Sequence, residues 1–218
     1  MIELDHVSFS YGASGVLRDL SFSIDFSERV AILGGSGEGK STILKIILGL
    51  IRPDTGRVLI DGEDITDRDE DGLREVRMKF SMVFQEGALF DSLTVKENVA
   101  FCLREHERLS EEEIDAKVRD ILKTVGVGHA VDLMPEELSG GMHRRVALAR
   151  SLAACDPKMF LYDEPTTGLD PINADNICRL IAKSGARRQG LHRRDSQGGR
   201  RTESSKAVHV PEKRRARV

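Results

Sequence analysis

Eight consecutive residues, Gly34-Gly-Ser-Gly-Glu-Gly-Lys-Ser41, bring together what a phosphate-binding loop needs. Gly34, Gly37 and Gly39 free the backbone to turn its N–H groups toward oxygen acceptors. A helix starting behind them adds the positive end of its dipole. Lys40 is placed to reach the β- and γ-phosphates of a nucleoside triphosphate, and the Ser41 hydroxyl is a ligand for Mg²⁺. Gly34, Gly35, Ser36, Gly37, Glu38, Gly39, Lys40, Ser41 and Thr42 are therefore the candidate cradle for ATP. A glycine-rich turn with no ligand is the plain alternative, and the Lys-Ser pair at its end argues against it. About 120 residues further on stands Asp163-Glu164. Alone, an acidic pair after a strand is a solvated strand end. Beside a phosphate loop it reads as a metal-binding Asp163 and a Glu164 that orients or deprotonates an attacking water.

The elements that must carry these residues are visible in the hydrophobic pattern. Residues 2–10 and 17–26 alternate and read as half-buried strands. Arg29–Leu33, a short apolar run without alternation, suits a central strand buried on both faces, and it leads into the glycine loop. Ser41–Leu50 has apolar residues at helical spacing. Residues 56–60 and 79–84 read as further strands. From about Val95 to Ala154 the pattern is helical, with Ser110 and Glu113 as a capping pair. Lys158–Tyr162 is a second buried strand, and Ile172 to about Lys183 a helix. The expected fold is α/β: a P-loop core with an antiparallel β subdomain, a helical insertion and an irregular C-terminal tail.

Charge divides the chain. Its net −3 conceals −12 over residues 1–182 and +9 over 183–218, where 12 residues are basic and 3 acidic. Only seven of those last 36 residues are apolar, too few to offset the entropy of ordering them. No apolar run approaches the ~20 residues of a membrane span, and the acidic, alternating start is not a secretory signal. Cys102, Cys155 and Cys178 lie far apart, as in a reduced cytosolic chain.

Further motifs give these observations a family. Leu138-Ser-Gly-Gly-Met142 resembles the signature of ATP-binding-cassette (ABC) ATPases, with Met142 in place of the usual glutamine. Between Met142 and Glu164 lie 21 residues, close to the family spacing. Phe84-Gln85 is similar to the Q-loop, Gly168-Leu-Asp170 to the D-loop, and Tyr11 to the aromatic that stacks on adenine. The resemblance covers residues 1 to about 182. It implies a core split into 1–86 and 156–182, a helical subdomain over 87–155, and a basic, disordered tail outside the family over 183–218. It also implies two cassettes closing head to tail on ATP and Mg²⁺. Ser139, Gly140 and Gly141 of one subunit then face the nucleotide of the other, with Asp170 beside it. Gln85 acts with Glu164 in catalysis and joins Ser41 and Asp163 as a metal ligand. Residues 84–106 and 133–145 are similar to ATPases of the Mla/Mce-associated lipid transporters. That implies a membrane permease docking near 86–93, an Mce-type lipid-binding partner, phospholipid as cargo, and a cytoplasmic position on the inner face of the inner membrane. A soluble ABC ATPase acting on nucleic acid or ribosomes is the alternative. The single cassette and the absence of a basic patch in 1–182 argue against it, so no nucleic acid is expected.

One family residue is absent from its place, a histidine ending a buried strand about 30 residues after the catalytic Glu. His192 and His209 follow no apolar strand, and neither is assigned the role. A basic tail suits a nucleic-acid arm or an anionic-lipid anchor. A one-nucleotide reading-frame slip near Arg187 fits better. Permitted codons in the shifted frame spell a Val-Val-Thr-His strand end, with the histidine at the register of Ser196. On that reading residues beyond 183–187 are non-native. The lost strands would then cost more than the ~5–15 kcal/mol of a typical domain's stability, and the chain would fold poorly or hydrolyse ATP slowly.

Overall fold

Alternation at the start of the chain dictates its first ladder. Ile2, Leu4, Val7 and Phe9 are buried along β1 (Ile2–Tyr11), which pairs antiparallel with β2 (Ser14–Ile24). The step from Leu4 to Val7 is odd, so an unbroken strand would send one of them to the wrong face. The register shifts between them instead. His6 and Asp19 take left-handed backbone there, at φ 53° and 50°, and His6 Nδ1 and Asp19 Oδ1 lie 2.6 Å apart. A bulge of this kind re-aims the strand while pairing continues. The structure, a computed structural model, describes residues 1–85, 87–154, 157–167, 170–192 and 206–209.

β3 (Val30–Leu33) leads through the glycine loop into α1 (Lys40–Ile47). β4 (Thr55–Ile60) and β5 (Glu63–Asp64) complete an antiparallel sheet in the order β2-β1-β4-β5. α2 (Glu70–Met78) starts on Asp69, whose carboxylate accepts the Gly72 N–H at 2.9 Å. The apolar pattern gives no hint of α2, because only Leu73 and Val76 of its residues are buried.

The described residues divide into two compact units, 1–80 with 206–209, and 81–192. The second holds all of β6 (Phe80–Val83) except Phe80, with α3 (Val95–His106), α4 (Glu111–Thr124), α5 (Gly140–Leu152), β7 (Met159–Tyr162) and α6 (Pro171–His192). β6 and β7 pair. Val95, Val99 and Leu103 of α3 pack with Ile114, Val118 and Leu122 of α4 and Val146 and Ala149 of α5. Each of the Val, Leu and Ile side chains among them contributes about 1.5–3 kcal/mol on burial. Both longer caps are reciprocal. Ser110 N–H donates to Glu113 Oε2 at 2.8 Å while Glu113 N–H donates to Ser110 Oγ at 3.2 Å, as expected. Thr94 and Glu97 do the same at the start of α3. Among the described residues no helix is long and apolar enough to cross a membrane.

Three details differ from the pattern's suggestion. β3 is not buried on both faces: Val30 and Ile32 are half-buried, Ala31 is exposed and Leu33 is 51% exposed. Apolar content suits a central strand, but burial needs layers on both sides. Among the described residues β3 pairs only with β8 (Lys206–His209). In β7, likewise, only Leu161 is fully buried. Finally, two stretches of the tail depart from the irregular reading: α6 runs on to His192, and Lys206–His209 pairs in parallel with Val30–Leu33. Cys155, Gly168, Leu169 and the position of Ser196 lie outside the described residues.

Candidate functional site

In the first unit, the loop between β3 and α1 owes its shape to Gly39. At φ 97° it caps α1, and a Cβ there would lie 2.8 Å from Val16 Cγ1 and 2.9 Å from Leu17 Cδ2. No side chain caps α1, whose N-terminal end follows directly on the loop. Gly37 is also left-handed, at φ 78°. Gly34 is half-buried, and Gly35, Ser36 and Gly37 are exposed. Lys40 crosses the loop, its Nζ donating to the Gly34 carbonyl at 3.1 Å and the Gly35 carbonyl at 2.8 Å. The Glu38 carboxylate accepts the Gly35 N–H. Ser41 is half-buried and Thr42 buried, on the face of α1 that anchors the loop. Tyr11 ends β1 with its ring exposed, edge-on to Phe9 at 4.8 Å. The β1–β2 ribbon that carries Tyr11 is the one that packs Val16 and Leu17 on Gly39.

In the second unit, the acidic pair begins where β6 ends. Asp163 N–H donates to the Val83 carbonyl at 2.9 Å, two residues before Gln85. Asp163 is 7% exposed, a burial that a carboxylate tolerates only with partners. Glu164 takes left-handed backbone at φ 45°, uncommon for a residue with a side chain and concentrated at functional sites. Thr167 holds it, donating from N–H to the Glu164 carbonyl at 3.2 Å and from Oγ1 to Oε2 at 2.9 Å. Gln85 is exposed in a turn closed by Gly87 N–H on the Phe84 carbonyl at 2.9 Å. One small pocket gathers Gln85, Gly87, Arg144, Tyr162 and Pro165, so Gln85 and the residue after Glu164 share a wall.

Ser139 caps α5, its Oγ accepting the Met142 N–H at 3.3 Å. Ser139 and Gly140 are exposed, Gly141 is half-buried, and a Cβ on Gly140 would meet nothing within 4 Å. The start of α5 is thus open to an anion. Asp170 caps α6, with Oδ1 accepting the Ile172 N–H at 3.1 Å. For Mg²⁺ the donor set fits in kind. Among the described residues no cluster of three or more acidic, His or Cys side chains could hold a metal. The Ser41 hydroxyl in the first unit, and the Gln85 amide and Asp163 carboxylate in the second, are each of a kind that Mg²⁺ accepts when waters and substrate phosphates supply the rest.

Sequence reasoning missed three residues. Asn98 is wholly buried and holds the segment before α3 from inside. Its Oδ1 accepts the Phe90 N–H at 2.8 Å, and its Nδ2 donates to the carbonyls of Phe90 at 3.0 Å and Leu93 at 2.9 Å. Its signal was a lone amide on the apolar face of α3. Arg150 stacks over Phe90 at 4.4 Å and donates to the Ala88 carbonyl, and burial lowers its pKa. His209 ends β8 level with Leu33, the last residue before the loop, so it does follow a strand. Only the pairing with β3 reveals this.

Comparison with known proteins places this geometry. The ABC transporter family model matches residues 17–167. The chain is 47% identical over 191 residues to Arabidopsis thaliana protein TRIGALACTOSYLDIACYLGLYCEROL 3, chloroplastic, covering 83% of this chain and 54% of that protein. It is 43% identical over 180 residues to the probable ribonucleotide transport ATP-binding protein mkl of Mycobacterium leprae, covering 83% and 52%. It is 42% identical over 183 residues to the intermembrane phospholipid transport system ATP-binding protein MlaF of Escherichia coli K12, covering 84% and 68%. The chain thus spans about half the length of the first two. Among solved structures, the dimeric ATP-binding cassette MJ0796 bound to ADP and Pi superposes with TM-score 0.80 at 32% identity, over 97% of this chain and 88% of that one.

Proposed function

The chain belongs to the ABC transporter family, and from that premise we propose that it is the ATP-binding and ATP-hydrolysing subunit of a transporter that moves phospholipid or a related lipid. The observation that carries the ATPase reading is the loop at 34–42, with Gly39 held left-handed under Val16 and Lys40 folded across the phosphate position. Lipid as cargo rests on the likeness to the phospholipid-transport relative.

In this reading Tyr11 stacks on adenine, and the loop N–H groups with Lys40 hold the phosphate chain. Ser41, Gln85 and Asp163 are assigned to Mg²⁺, which when bound neutralises charge on the β- and γ-phosphate oxygens. Glu164 accepts a hydrogen bond from the attacking water and orients it, and Thr167 fixes that carboxylate. Ser139, Gly140 and Gly141 of a second subunit, at the open start of α5, close on the γ-phosphate. Asp170 orders the start of α6 through its hydrogen bond with Ile172 N–H.

A membrane permease docks on the segment around 87–93. In support, Phe84, Phe90 and Phe101 are exposed, and the Phe90 and Phe101 rings lie 4.9 Å apart. Apolar aromatic surface held rigidly from beneath, here by Asn98 and Arg150, is what a helix-in-groove contact requires. An Mce-type partner and a place on the inner face of the inner membrane follow from the same reading. Affinity purification of the tagged chain from its own cells tests it. A co-purifying membrane permease, lost in Phe90→Asp, is the expected result; recovery of ribosomes or nucleic acid with no permease overturns it.

The reading-frame slip is kept as a second reading of the tail, favoured by the open faces of β3. Sequencing the coding DNA decides it: a shifted frame without a Val-Thr-His-like strand end removes the idea.

A further inference from the structure

Glu38 is the one acidic residue of the loop, and its carboxylate is turned onto the loop itself. It accepts the backbone N–H of Gly35. Glu38 N–H in turn donates to the Gly35 carbonyl at 3.3 Å, closing a small ring. A Cβ on Gly35 would lie 3.1 Å from Glu38 Cδ, so the carboxylate sits directly against that backbone. Lys40 folds the same way, onto the carbonyls of Gly34 and Gly35. The Gly35 N–H is one of the donors that such a loop holds out to phosphate oxygens. Carboxylate and phosphate are both anionic acceptors, and one N–H serves one of them well.

We propose that Glu38 is a built-in competitor for the phosphate chain. Its carboxylate holds the Gly35 N–H and must leave before a di- or triphosphate seats, so Glu38 sets the affinity for phosphorylated nucleotides. This rests on the nucleotide reading above. Two physical terms act in one direction. The displaced carboxylate gives up a charge-assisted hydrogen bond, and as part of the loop it stays near a polyanion of like sign. Both terms depend on phosphate charge and neither on adenine.

The test is titration of the full chain and of Glu38→Ser and Glu38→Gln with MgATP, MgADP and adenosine, by calorimetry. Serine removes acceptor and charge, whereas glutamine removes the charge and keeps an acceptor. For Glu38→Ser the Kd for MgATP is expected to fall about five- to tenfold, the scale of one hydrogen bond to a charged group in a half-exposed site. Glu38→Gln should lie between, MgADP should tighten less than MgATP, and adenosine should stay within about twofold. Detectable MgATP binding only in the variants also supports the proposal. Unchanged or weaker MgATP affinity in both variants, beside a wild type that binds, overturns it and leaves the nucleotide site standing. Equal tightening for adenosine overturns it as well, since that reports general loosening. Absence of MgATP binding in all three chains overturns the nucleotide reading and this proposal together.

Discussion

Gly39 shows how one residue can serve fold and chemistry at once. Its φ of 97° lies where a side chain costs about 1–2 kcal/mol, and its missing Cβ leaves room for Val16 and Leu17. Gly39→Ala is expected to weaken MgATP binding at least about tenfold, because the strain and the overlap fall on the backbone that presents the N–H groups. Equilibrium dialysis checks this, and wild-type affinity in that variant would contradict it. His209 poses the opposite case. Its place level with Leu33 supports a role beside the phosphate loop despite its basic surroundings. His209→Ala should lower ATP turnover while leaving MgATP affinity within about threefold. An unchanged rate would leave the tail a bystander.

At the scale of elements, much of the second unit was legible because its signals are local. Ser110 with Glu113 announces α4, and Ser139 announces α5, since a cap and its partner lie within one turn. The loop at 34–41 was legible for the same reason. Asn98 was not, because a buried amide has meaning only once its loop is folded around it. Asn98→Ala is expected to cost about 2–4 kcal/mol in urea denaturation, leaving the Phe90 N–H and the Leu93 carbonyl without their Asn98 partner. Several carboxylates define the acid limit of these helices. Hydrogen bonds from the Thr94 backbone and hydroxyl lower the Glu97 pKa, and those from Arg119 and Lys96 lower that of Asp115. Arg104 lowers that of Glu111. A carboxylate depressed in the folded state stabilises above its unfolded pKa and stops doing so as pH falls through the folded value. Melting followed by circular dichroism should therefore decline as pH falls below about 4. A melting temperature that holds steady down to pH 3 would contradict these assignments.

On the scale of the whole molecule, what stayed illegible is what depends on distant neighbours. The apolar run at 30–33 reads as a central strand, yet Leu33 is 51% exposed because burial needs layers that the run itself does not encode. The bulge at His6 and Asp19 follows from an odd spacing, Leu4 to Val7, whose consequence appears only against β2. The charge split at residue 182 falls within α6, so composition changes there without a break in the helix. The residues of the proposed ATPase nonetheless all precede that split, from Tyr11 to Asp170. The direct measurement is MgATP turnover and MgATP affinity of the purified full chain beside Glu164→Gln. The account predicts Mg²⁺-dependent turnover, slow if the tail is non-native, and a loss of at least about 100-fold in Glu164→Gln with affinity kept within about threefold. Equal turnover in the two proteins, or loss of binding together with loss of rate, would contradict it.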